Sequence, residues 1–111
     1  MNKQVKNKQI ITKYEQYLKL EKSLSKNTIM AYISDLEKLT SYLKDEDINI
    51  LDVTADNLEN FSASLRDLGI HPRSQARILS GIRSFFNFLI LDDYISKDPT
   101  EFLESPQIGK H

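Results

Sequence analysis

The side chains on this chain best suited to chemistry are arginines and serines at helical spacing. Arg73, Arg77, Ser80, Arg83, Ser84 and Asn87 all fall within "HPRSQARILSGIRSFFNFLIL". At 100° per residue they share an arc of about 120°. Ile78, Leu79, Ile82, Phe85, Phe86, Leu89 and Ile90 fill an opposing arc of about 140°. No Asp or Glu occurs from Leu68 through Leu91. Guanidinium groups set apart from carboxylates make a face that attracts phosphate, because each carboxylate would repel it. The serines add short hydroxyl donors that reach phosphate oxygens or base edges. Gly81, beside the polar arc, leaves room for a backbone to approach. The chemistry indicated is recognition of a polyanion, with no bond made or broken. A solvated helix face, or ion pairing with an acidic stretch of the same chain, accounts for the same residues.

A second polar cluster lies at "SLSKNT". Ser25, Lys26, Asn27 and Thr28 sit where a helix begins. Exposed N–H groups and the positive end of the helix dipole make such a start receptive to an anion. Capping explains Ser25 by itself. It does not explain Lys26, a cation placed against the dipole, whose penalty a docked phosphate would offset.

Composition removes most other functions. The 111 residues fit one small domain. Without cysteine there are no disulfides or thiolate zinc sites. His71 and His111 are too few and too distant to suggest a metal site, so no cofactor is expected. No paired carboxylates, Ser/His constellation or Gly-rich phosphate loop points to an enzyme. No apolar run reaches the roughly 18 residues of a membrane span, and no signal core directs export, so a cytoplasmic location is expected. Net charge is −1, yet the charges are segregated. Residues 1–34 carry +5, residues 35–59 carry −6, residues 60–91 carry +3 and residues 92–111 carry −3. Local basicity thus survives in a chain of near-neutral total.

The elements that must position these groups are helical, since apolar residues recur at helical spacing and strict alternation is nearly absent. A polar tail over residues 1–9 is expected to fray. A first helix is predicted from about Gln9 to Lys22, with Ile11, Tyr14, Tyr17 and Leu18 inward. Ser25 caps a second, from Lys26 to about Lys44, buried through Ile29, Tyr32, Ile33, Leu36, Leu39 and Leu43. In "DEDINILDV", Ile48, Ile50 or Leu51, and Val53 tuck into the core. Thr54 caps a third helix to about Leu68, with Leu58, Phe61, Leu65 and Leu68 inward, and Gly69 stops it. Pro72 opens a fourth, ending near Leu91. Asp98-Pro99 has the signature of a short fifth helix. The expectation is an all-α bundle of four main helices plus a short C-terminal one. It occupies residues 10–105, with residues 106–111 starting a linker.

"LEKSLSKNTIMAYISDLEKLTSYL" resembles the first half of the core-binding domain of tyrosine recombinases, the phage-integrase and Xer-type family. Leu24-Ser25, Asn27-Thr28, Ala31-Tyr32 and Asp35-Leu36 fall in register with its pattern. "SQARILSGIRSFFNFLILDDYISKDPTEFLESP" resembles the second half, through Ser74, Arg77, Leu79-Ser80, Arg83, Phe85-Phe86, Asp98-Pro99 and Pro106. The resemblance runs over about residues 10 to 108 and leans to the Xer branch.

It implies a SAM-like bundle that clamps double-stranded DNA, with the second and fourth helices toward the major groove. By position, Lys26, Asn27 and Thr28 would meet phosphates, and Ser74, Arg77, Ser80 and Ser84 would face DNA. Arg73 joins them from the acid-free face, and Arg83 sits at the edge of that arc. Tyr32 matches a family position but falls on the apolar stripe and is read as core. The family's chemistry lies in a separate catalytic domain that would begin where this chain stops. None of Tyr14, Tyr17, Tyr32, Tyr42 and Tyr94 matches its tyrosine nucleophile, so no strand cleavage is expected of this chain alone. The family acts as a tetramer on DNA; the isolated domain is expected to be monomeric, in a bacterial cytoplasm. The competing reading is a helical protein-interaction module whose basic face docks an acidic partner.

Overall fold

The computed structural model describes the backbone of residues 3–104 and the side chains of residues 7–104. It contains four α-helices and one 3₁₀ turn, with no strand among the described residues. The chain divides into two units, Met1–Ile50 and Leu51–His111.

In the first unit, α1 (Lys3–Leu20) packs on α2 (Lys26–Asp45). Ile10, Tyr14 and Leu18 recur every fourth residue on α1 and are all buried. Ile11 and Tyr17, expected inward, are half-buried. The helix begins at Lys3, where fraying was expected up to residue 9. Lys and Gln lose little rotamer freedom in a helix, so a polar composition does not by itself oppose one. Ser23, at φ 54°, turns the chain out of α1, and the Leu24 N–H donates to the Leu18 carbonyl at 3.2 Å. Lys22 lies over the Tyr17 ring, 5.9 Å from its centroid.

Ser25 caps α2 as expected: its Oγ accepts from the Thr28 N–H at 3.2 Å. Ile29, Leu36, Leu39 and Leu43 form the buried stripe. Tyr32, expected in the core, is only half-buried. At 100° per residue it lies 40° from Leu36 and between Leu39 and Leu43, so its azimuth is that of the stripe although its ring stays partly exposed. The stripe also takes in Asp35, 4% exposed, which pairs with Lys38 one turn on at 3.6 Å. The helix ends in a Schellman motif built on Asp47 at φ 58°. There the Asp47 N–H reaches Lys44 O at 3.1 Å and the Ile48 N–H reaches Leu43 O at 2.8 Å. Ile50 then opens the 3₁₀ turn Ile50–Asp52 and is buried; Ile48, Leu51 and Val53 are half-buried.

In the second unit, α3 (Ala55–Asp67) packs on α4 (Pro72–Leu91). Thr54 and Asn57 close a reciprocal capping box at 2.9 and 3.2 Å. Leu58, Phe61 and Leu65 are buried. Leu68, expected inward, is 76% exposed because it is the C-cap, past the last turn. Gly69, at φ 78°, carries the same Schellman exit, through Gly69 N–H to Arg66 O and Ile70 N–H to Leu65 O.

Helix α4 is buried along Gln75, Ile78, Leu79, Gly81, Ile82, Phe85, Phe86, Phe88 and Leu89. That arc spans about 180°, wider than the apolar residues alone suggest. Gly81 therefore lies in the protein interior and is not a place where a DNA backbone approaches. The short fifth helix expected from Asp98-Pro99 is a pair of turns. The Asp98 carboxylate accepts from the Thr100 N–H and hydroxyl at 2.8 and 2.7 Å, an Asx arrangement that competes with helical bonding. The linker expected over residues 106–111 lies outside the described residues. No helix among the described residues is long and apolar enough to cross a membrane.

Candidate nucleic-acid interface

One polar cluster is built by a helix start and the other by one face of a helix. On α2, Lys26 and Asn27 occupy the first turn and are exposed. Thr28 is half-buried. Its Oγ1 accepts from the Ser25 hydroxyl at 2.9 Å, so the two side chains hold each other over the helix end. No acid occupies the first turn of α2. Backbone N–H groups at such a start are directed toward an incoming anion.

On α4, Arg73, Arg77 and Ser80 are exposed and succeed one another at spacings of four and three, so they line one face. Asn87 extends that face and is also exposed. Ser84 is half-buried on the same side. Ser74 is half-buried as well; at 100° per residue it falls between Gly81 and Phe85, inside the buried arc. Arg83, at the arc's edge, is half-buried, and its guanidinium donates to the Leu103 carbonyl. Of the nine residues singled out in the sequence, Lys26, Asn27, Arg73, Arg77 and Ser80 are thus the well-exposed ones.

Sequence reasoning missed two residues that shape the start of α4. His71 is its N-cap: the imidazole Nδ1 accepts from the Arg73 N–H at 3.1 Å. A polar residue directly before a helix-opening proline carries that signal. Gln75, 3% exposed, donates from Nε2 to the Ile70 carbonyl at 2.7 Å and ties the α3–α4 connection to the helix. Its azimuth lies between those of Leu79 and Ile82, which marks a polar group in the core. Its Oε1 has no partner among the described residues.

No group of three or more His, Asp or Glu among the described residues could hold a metal. An open cleft of about 600 Å³ in the second unit is lined by Leu51, Phe86, Asp93, Tyr94 and Lys97 among others, and by none of the basic-face residues. Partial burial raises the Tyr42 phenol above its ordinary value, and Glu46 adds to the rise. Tyr42 lies near the far end of α2 from Lys26.

Comparison with known proteins bears on the family of the chain. The family described as phage integrase, N-terminal SAM-like domain, matches residues 11–92. The tyrosine recombinase XerD of Staphylococcus epidermidis is 39% identical over 102 residues, covering 91% of this chain and 35% of that protein. XerD of Pseudomonas putida is 38% identical over 101 residues, covering 91% of this chain and 34% of its own length. The chain therefore spans about a third of the length of the curated relatives it matches. No solved structure matches.

Proposed function

The chain belongs to the family of phage integrase N-terminal SAM-like domains, and we propose that it is the DNA-gripping module of a site-specific tyrosine recombinase. The observation that carries this reading is the exposed, acid-free face of α4 with Arg73, Arg77 and Ser80 in line. The start of α2 supplies a second anion-receptive point through Lys26, Asn27 and Thr28. Affinity in this reading is mostly electrostatic: arginines and lysines displace counterions from phosphates, and the serines and Asn27 add hydrogen bonds to the backbone or to base edges. Strand cleavage and assembly into a tetramer on DNA belong to the recombinase as a whole, and this module binds without cutting.

Titrating the chain against a fluorescent duplex at rising salt tests it. Binding should be weak, with log K falling against log salt at a slope steeper than about −2. Arg77→Ala should make that slope shallower by about 0.9, the value of one phosphate contact. Because Arg77 is exposed, the unfolding free energy of the variant should change by less than about 0.5 kcal/mol. No binding at low salt, or a slope near zero, would overturn the reading. One observation favours docking of a protein instead: Leu91, 63% exposed, shares the azimuth of Arg73 on α4. Salt-insensitive association with a protein, abolished by Leu91→Ser, would support that alternative.

A further inference from the structure

We propose that Arg83 is a positioning residue that clasps the 98–104 turn onto α4, and that it does not meet phosphate. The proposal refines the DNA-binding reading by removing one cation from its face. The clasp itself stands or falls independently of that reading.

The Arg83 guanidinium donates to the carbonyl of Leu103, a residue twenty positions on in the chain. Arg83 is half-buried, whereas Arg73 and Arg77 on the same helix are exposed. A guanidinium committed to a carbonyl in a partly dry site has given up hydration that a phosphate contact would also require it to give up. The residue it holds is an anchor: Leu103 is 7% exposed, and Thr100, three residues earlier, is 3% exposed. Between them Phe102 is 78% exposed, so the turn has little apolar burial of its own beyond Leu103.

Among the described residues, the turn's other bonds are local. Thr100 donates twice to the Asp98 carboxylate, the Glu101 N–H reaches Asp98 O at 3.2 Å, and the Leu103 N–H reaches Thr100 O at 3.1 Å. Local bonds shape a turn but do not fix it to a helix; the long-range bond from Arg83 does. Arg suits the task better than Lys, since its planar fork can hold a carbonyl and a second partner at once.

Two readouts on the same variants test this. Amide exchange at Thr100, Glu101 and Leu103 should quicken by about tenfold or more in Arg83→Ala, as expected when a hydrogen bond from a charged donor is removed. Arg83→Lys should give a smaller increase, and Arg77→Ala none. Duplex titration should show an unchanged salt slope in Arg83→Ala, against a slope shallower by about 0.9 in Arg77→Ala. If Arg83→Ala fails to fold, Arg83→Lys carries the exchange test, and quickened exchange confined to the 98–104 turn supports the clasp. Unchanged exchange at the turn overturns the clasp. A slope shallower by about one in Arg83→Ala overturns the claim that Arg83 avoids phosphate. If no variant binds DNA, the DNA-binding reading fails, and exchange alone decides the clasp.

Discussion

At the scale of single residues, backbone conformation separates what the sequence declares from what it hides. Gly69 at φ 78° is readable, because glycine is the residue that takes this conformation without a steric penalty. Asp47 at 58° and Asp93 at 61° occupy the same place at the ends of α2 and α4 and read in sequence as ordinary surface acids. Replacing Gly69 by Ala should destabilise the chain by about 1 kcal/mol through backbone strain alone. Nothing lies within 4 Å of the added Cβ, so no packing clash contributes. Asp93→Gly should go the other way by about 0.5 kcal/mol, relieving the left-handed strain and removing an acid from the negative end of α4. Urea denaturation of the three proteins measures both. Tyr42 offers a pH test. Its phenol is raised above 10.0 by burial and then by Glu46. The folded state therefore disfavours the phenolate. The associated stability is present below that ordinary value and is lost as pH climbs through the raised one. Tyr42→Phe should lose less stability than the parent in urea melts taken above pH 10.

At the scale of elements, both ends of α2, α3 and α4 are legible to within a residue, whereas the start of α1, six residues earlier than expected, is not. Ser25, Thr54 and Pro72 announce α2, α3 and α4 because capping hydroxyls and a first-turn proline are strong local signals. The capping box adds Asn57, whose side chain accepts from the Thr54 N–H at 2.9 Å. Thr54→Ala should cost about 1 kcal/mol in a thermal or urea melt, and Thr54→Ser should restore most of it. The failed fifth helix shows the opposite case. Asp98-Pro99 carries a valid start signal, but the Asp98 side chain is taken up by Thr100 and the chain turns instead. The basic face of α4 was legible from periodicity and the absence of acids. The roles of Ser74 and Arg83 were not, because they depend on a buried arc widened by Gln75, Gly81 and Phe88 and on a partner twenty residues away.

At the scale of the whole molecule, charge segregation is the property that matters for binding. A net charge of −1 hides a +5 stretch over residues 1–34 and a +3 stretch over residues 60–91. The −6 stretch over residues 35–59 opposes a polyanion, which is why this chain should bind duplex weakly and release it quickly as salt rises. Replacing Glu37 and Glu59, two exposed acids of that stretch, by Gln should strengthen duplex binding at low salt. The gain should shrink as the Debye length falls below about 8 Å.

The most direct measurement is a backbone NMR titration of the chain with a short duplex at low salt. Amide shifts should move at Lys26–Thr28 and along Arg73, Arg77 and Ser80, with Arg83 and the 98–104 turn little changed. Shifts confined to α1 or to the 98–104 turn, with Asn27 and Arg77 unmoved, would contradict the assignment of these residues to DNA.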